Sequence, residues 1–130
     1  MTDSATQVAG HQDGNTAKVL IVDDDPALLR MLRLWLTGAG MDVTTANDGI
    51  EALDQVEATD HFDVIVLDLQ MPRLDGRGFC KEMARRGHPG QIVILSAYGA
   101  DAAGRELDAA AAISKPFDPE VLVETVLSLA

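Results

Sequence analysis

The run Val64-Ile65-Val66-Leu67 closes on a carboxylate, Asp68. Four consecutive aliphatic residues without polar alternation suit a strand covered on both faces, the condition of a parallel sheet between two layers of helix. Leu69-Gln70-Met71-Pro72 then leaves the sheet, because Pro72 cannot continue a central strand. Two further runs share this form. Lys18 to Val22 runs into Asp23-Asp24-Asp25, and Ile92 to Leu95 runs into Ser96. Open α/β sheets bind their ligands at the carboxyl ends of the strands, so these polar ends are expected to meet.

The rest of the chain supplies the helices such a sheet needs. Asp25-Pro26 reads as an N-cap followed by a first helical proline. Leu28, Met31, Leu32, Trp35 and Ala39 then recur at helical spacing, which places Trp35 in the core. Asp42 to Ala46 alternates as a half-exposed edge strand would, Asn47-Asp48-Gly49 is a turn, and Ile50 to Ala58 is a short helix carrying Leu53 and Val56. After Asp68, a loop through Gly76 leads into a helix at about Arg77 to Arg86, with Phe79, Cys80 and Met83 inward. Gly87-His88-Pro89-Gly90 breaks it, and the fourth strand is Gln91 to Leu95. Ala100 to about Asp108 is helix-permissive, and Ala109 to Ser114 is a weak fifth strand ended by Lys115-Pro116-Phe117. Asp118-Pro119 opens a last helix whose apolar side is Val121, Leu122, Val126 and Leu127. Five alternations of strand and helix predict an α/β domain. Right-handed crossovers leave few topologies, and the doubly wound one sets the first and third strands side by side.

Composition bounds the rest. At 130 residues the chain is expected to form one domain, residues 18–130, behind a polar and disordered leader, residues 1–17, which holds His11. A net charge of −11 excludes nucleic acid and anionic membrane as direct partners and favours a cation or a basic protein surface. One cysteine, Cys80, forms no internal disulfide, and no apolar run is long enough to span a bilayer. A cytoplasmic location is expected.

With the first and third strands adjacent, Asp23, Asp24 and Asp68 crowd one edge. Two unit charges about 4 Å apart repel by roughly 4 kcal/mol at an effective dielectric near 20. Three carboxylates there need a cation, or one must take up a proton; a hard divalent cation is the natural solution, and Mg²⁺ suits oxygen ligands with a phosphate partner. Lys115 would add a fixed positive charge from the end of the fifth strand, and Ser96 a hydroxyl from the end of the fourth. A carboxylate so flanked fits one that attacks phosphorus and holds the phosphoryl group.

In Val22-Asp23-Asp24-Asp25, Asn47-Asp48-Gly49-Ile50-Glu51-Ala52-Leu53, Leu67-Asp68-Leu69-Gln70-Met71-Pro72 with Asp75-Gly76, Ser96-Ala97 and Lys115-Pro116-Phe117, the chain resembles a response-regulator receiver domain of two-component signalling. The resemblance covers about Lys18 to Ala130. It implies a flavodoxin-like, doubly wound five-stranded parallel sheet of order 2-1-3-4-5 with five helices. It implies Asp68 as phospho-acceptor, with Ser96 and Lys115 on the phosphoryl oxygens. Mg²⁺ would lie on the side chains of Asp24 and Asp68 and the backbone carbonyl of Gln70, with Asp23 acting through water. The donor would be a sensor histidine kinase or a histidine phosphotransfer protein, and a downstream effector protein would read the result. The chain would catalyse only its own phosphorylation and dephosphorylation, as a monomer or weak dimer with no output domain. Lys115-Pro116 would be cis, and Gln70 and Tyr98 match positions that tune autodephosphorylation.

The chain also departs from that pattern. Ala112 stands where an aromatic switch residue is common, and Asp108-Ala109 where Gly-Ala usually precedes the fifth strand. Arg73 replaces a residue that is usually small. Only 19 positions separate Ser96 from Lys115, shorter than usual by nearly a helical turn. These departures keep a phosphorylation-independent pseudo-receiver in view. An aspartate-nucleophile phosphatase fits less well, since Gln70 stands where its second acid would be. Nucleotide or flavin binding is opposed by the aspartates that occupy the place of a glycine-rich phosphate loop.

Overall fold

In the computed structural model, the described residues are 16–59, 61–70, 75–87, 91–97 and 99–130. The expectations for the leader through residue 15 with His11, the loop residues Pro72 and Arg73, His88 and Tyr98 lie outside them. The elements are β1 (Lys18–Val22), α1 (Pro26–Gly38), β2 (Asp42–Ala46), α2 (Gly49–Ala58), β3 (Val64–Asp68), α3 (Gly76–Arg86), β4 (Gln91–Ser96), α4 (Ala100–Glu106), β5 (Ala111–Ser114) and α5 (Pro119–Leu129). All strand pairs are parallel, in the order β2-β1-β3-β4-β5. This is the doubly wound, flavodoxin-like sheet that the resemblance implied.

The central strands alternate between two cores. Val19 and Ile21 of β1 and Val64 and Val66 of β3 pack with Leu29, Leu32 and Leu36 of α1 and Leu122 and Val126 of α5. Leu20, Val22, Ile65 and Leu67 face the other way, onto Ala52 and Val56 of α2 and Phe79, Cys80 and Met83 of α3. Every residue of β3 is buried, which accounts for its unbroken apolar run. Ala17 is also buried, and its carbonyl accepts the Asp42 N–H.

The two aspartate caps form as expected: Asp25 accepts from the N–H groups of Ala27 and Leu28, and Asp118 from Glu120. Asp48, accepting from Glu51, and Asp75, accepting from Gly78, cap α2 and α3 in the same way, beyond the turn and loop expected there. Two helix faces differ from expectation. Trp35 is 45% exposed and outside the core. The stripe Leu29-Leu32-Leu36 faces the sheet, and Trp35 lies about 100° around the helix from Leu36. On α5 the buried pair is Leu122 and Val126, while Val121 and Leu127 flank it in solvent. Both helices carry apolar residues on several sides, so periodicity alone does not select the inner one.

The segment before β5 explains the departure at Asp108. That residue adopts φ +55°, a conformation glycine takes without strain and aspartate tolerates better than most. β5 begins only at Ala111, because the Ala109 N–H is drawn back to the Gly104 carbonyl. α4 has seven residues. It lies so near β5 that a Cβ on Gly104 would meet the Ala112 Cβ at 2.9 Å. The small residue at 112 is thus matched by a small residue on the helix above it.

Cys80 is buried among apolar neighbours, which pushes its thiol up to about 11 against a smaller opposing pull from Arg77. At pH 8 it carries almost no thiolate. Alkylation of the folded chain by iodoacetamide at that pH is expected to be at least about 100-fold slower than in denaturant. Comparable rates would show that α3 opens readily from the sheet.

Candidate functional site

Parallel register brings the polar strand ends together. Val22 pairs with Leu67, Asp68 with Leu95, and Ser96 with Ser114. Each strand therefore presents its next polar group at the same edge: Asp23 and Asp24 after β1, Asp68 closing β3, Ser96 closing β4 and Lys115 after β5. Asp23, Asp68 and Ser96 are buried, and Asp24 is exposed.

The geometry is tight. One carboxylate oxygen from each of Asp23, Asp24 and Asp68 lies within 4.8 Å of the other two. Lys115 Nζ donates to Asp23 Oδ2 at 3.1 Å and stands 3.5 Å from Asp68 Oδ1. Asp23 Oδ1 accepts the Asp25 N–H at 2.9 Å, and Asp68 Oδ1 accepts the Gln70 N–H at 3.2 Å. Ser96 Oγ donates to Gln70 Oε1 at 3.4 Å. The Lys115–Pro116 peptide is cis. The Lys115 N–H donates to the Ser96 carbonyl at 2.9 Å, which fixes the lysine beside β4.

The electrostatics follow from this crowding. Burial, and then the Asp23 charge, push the Asp68 carboxyl above its ordinary range, and Lys115 and the Gln70 N–H reverse only part of that. Burial pulls the Lys115 ammonium down. Its hydrogen bond to Asp23 and the charges of Asp23 and Asp68 outweigh that pull and hold it above its usual value. Three carboxylates against one ammonium leave a formal charge of −2 in the pocket. Hard oxygen donors with that surplus fit a divalent cation.

The arrangement brings together all six positions singled out in the sequence: Asp23, Asp24, Asp68, Gln70, Ser96 and Lys115. Two features were not foreseen. Lys115 rests mainly on Asp23, and the Gln70 carboxamide reaches Ser96. A third is Gly76. A Cβ there would meet the Leu69 Cα at 2.7 Å and the Asp68 carbonyl oxygen at 2.8 Å. The start of α3 thus abuts the backbone that carries Asp68, and Asp75-Gly76 is the sequence signal for it. A depression of about 400 Å³ opens at the rim, lined by Asp25, Leu28, Met31, Lys115, Pro116 and Phe117 among others.

A family model described as the response regulator receiver domain matches residues 19–127. The probable transcriptional regulator ycf27 of Cyanophora paradoxa is 40% identical over 118 residues, taking in 88% of this chain and 48% of that protein. Response regulator MprA of Mycobacterium tuberculosis is 38% identical over 117 residues, with shares of 88% and 50%. The chain spans about half the length of the curated relatives it matches. Among solved structures, chemotaxis protein CheY4 of Vibrio cholerae aligns with a TM-score of 0.81 at 33% identity, covering 89% of this chain and 100% of that one. The receiver domain of the Francisella response regulator 1452 aligns at 0.80 and 32% identity, covering 88% and 96%.

Proposed function

Because the chain belongs to the response-regulator receiver family, we propose that it is a phospho-acceptor switch in which Asp68 takes a phosphoryl group from a histidine kinase or a histidine phosphotransfer protein. The observation that carries this reading is the buried Asp68 at the end of the central strand, with Lys115 3.5 Å away and Asp23 and Asp24 beside it. A carboxylate oxygen of Asp68 attacks phosphorus. The phosphorus–nitrogen bond to the donor imidazole breaks, and its electron pair stays on that nitrogen. Lys115 balances charge on the moving group, and the Ser96 hydroxyl turns from Gln70 to a phosphoryl oxygen. The depression between α1 and the Lys115–Phe117 turn is lined by Lys115 of the same site, and the donor protein would seat there.

Mg²⁺ would be held by the carboxylates of Asp24 and Asp68 and the Gln70 backbone carbonyl, with Asp23 acting through water, and when bound it would supply positive charge against the negative charge that gathers during transfer. The surplus charge of the pocket supports that assignment. The domain would act in the cytoplasm and pass its state to an effector protein. Its only chemistry would be its own phosphorylation and dephosphorylation. Among the described residues no helix is long and apolar enough to cross a membrane. A second reading, a module that binds partners without phosphorylation, draws on the close packing of Gly104 on Ala112, where an aromatic switch residue would otherwise stand.

Thermal unfolding with and without Mg²⁺ tests the metal assignment. A ligand present at ten times its Kd stabilises by about 1.4 kcal/mol, or roughly 3–6 °C for a domain of this size. Wild type is expected to show this rise. Asp24→Asn, at an exposed position, is expected to lose most of it. An equal rise in both proteins would contradict the assignment.

A further inference from the structure

α4 is the helix least tied to the sheet. Its buried residues are Ala100, Ala103 and Gly104, so no side chain larger than a methyl group anchors it from within the helix. The other four helices each open on an aspartate whose side chain accepts a backbone N–H, whereas Gly99 gives α4 no such cap. A seven-residue helix with little buried area and an uncapped start is held weakly.

Its far end is joined to α3. Arg77 Nη1 donates to Glu106 Oε1, a contact between residues 29 apart in sequence. Both charges oppose the dipole of their own helix. Arg77 is the second residue of α3, near its positive end, and Glu106 is the last of α4, at its negative end. Asp101 and Arg105 on α4, and Arg85 and Arg86 on α3, stand at the ends that suit them. Each of the two misplaced charges is accounted for by the other. Arg77 follows Gly76 directly, and Gly76 leaves no slack above Asp68. Its N–H donates to the Leu69 carbonyl at 3.2 Å, and a Cβ has no room there beside Leu69 and the Asp68 carbonyl oxygen. On the other side, Gly104 lies against Ala112 of β5. That strand leads to Lys115, whose ammonium is 3.5 Å from Asp68. The Arg77–Glu106 pair thus closes a circuit from Asp68 through α3, α4 and β5 back to Asp68.

We propose that Arg77 and Glu106 are positioning residues that couple the docking of α4 to the state of Asp68. The proposal rests on Asp68 as phospho-acceptor. A phosphoryl group on Asp68 displaces the backbone that Gly76 abuts, the first turn of α3 moves with it, and Arg77 draws Glu106 and α4 along. In the other direction, a docked α4 steadies the first turn of α3 and, through Gly76, the peptide that carries Asp68. This route needs no large side chain at position 112.

Arg77→Glu, Glu106→Arg and the double swap, each in the full chain with Mg²⁺ and acetyl phosphate, test it. The quantities read are the initial rate of phosphoryl adduct formation by intact mass and amide exchange across residues 100–107 before and after phosphorylation. The two side chains are 45% and 62% exposed, so their attraction supports an effect of about two- to fivefold, which a like-charge pair in its place enlarges. Wild-type α4 is expected to change its exchange on phosphorylation. Each single swap is expected to slow adduct formation by about threefold or more and to leave α4 exchanging fast with or without the phosphoryl group. The double swap is expected to restore both quantities to within about twofold of wild type. Each single swap also removes a charge that its own helix dipole disfavours, so unfolding temperatures are expected to stay within about 3 °C of wild type. Wild-type α4 exchange unchanged by phosphorylation, equal adduct rates in all four chains, or a double swap no better than the single variants would each overturn the proposal and leave Asp68 as the acceptor. No adduct on wild type would overturn it together with the phospho-acceptor reading.

Discussion

Asp68→Asn is expected to give a chain that accepts no phosphoryl group from any donor and yet unfolds at a higher temperature than wild type. The first effect removes the nucleophilic oxygen. The amide keeps the size of the side chain and still accepts the Gln70 N–H, so the loss cannot be assigned to misfolding. The second effect follows from the electrostatics. Burial and the Asp23 charge both disfavour ionised Asp68, and together they outweigh the attraction of Lys115. At neutral pH the folded state carries that cost and the unfolded chain does not, so neutralising the group favours folding. Intact mass and calorimetry on the same sample check both. A lower unfolding temperature would mean that the Lys115 contact outweighs burial. A persistent adduct would put the acceptor elsewhere.

The second large effect is expected at Gly76. An added Cβ would lie 2.7 Å from both Cα and Cδ2 of Leu69 and 2.8 Å from the Asp68 carbonyl oxygen. Two of these three atoms belong to the backbone, so no side-chain rotation relieves the clash. Overpacking costs about 1–3 kcal/mol. Helix propensity alone would favour alanine by about 1 kcal/mol in a helix interior and less at its first residue. Gly76→Ala is therefore expected to lose about 2 kcal/mol in urea unfolding, with an unchanged slope. It is also expected to slow phosphorylation, because relief of the clash displaces the backbone that holds Asp68. A stability change within about 0.5 kcal/mol, the range of ordinary surface substitutions, would show that α3 moves aside freely.

Much of this molecule is legible in its sequence because parallel sheets write two signals at once. The unbroken runs of β1 and β3 declare strands covered on both faces, and a polar residue at the end of each run marks the edge where ligands collect. Asp23, Asp68, Ser96 and Lys115 are spread over 93 residues of chain and meet because each closes or directly follows its own strand. The aspartate caps at Asp25 and Asp118, each followed by proline, carry their own local chemistry and place two helix starts.

What the sequence leaves open depends on packing. α1 is apolar on nearly every side, so spacing could not choose between the stripe through Trp35 and the stripe through Leu36. α5 poses the same ambiguity with Val121 and Leu127. The start of β5 turns on a left-handed Asp108 and on a hydrogen bond back to Gly104, neither of which has a periodic signature. The Gln70–Ser96 contact depends on a side-chain conformation. The nearness of Gly76 to Asp68 depends on how α3 docks, although a glycine after a capping aspartate is what such an approach requires.

Mass spectrometry of the intact wild-type chain after incubation with acetyl phosphate, with and without Mg²⁺, tests the central claim most directly. The predicted result is a single phosphoryl adduct that needs Mg²⁺ and maps to Asp68. No adduct from acetyl phosphate or from a histidine phosphodonor, in a folded chain that binds Mg²⁺, would contradict it and leave a domain that binds its partners without phosphorylation.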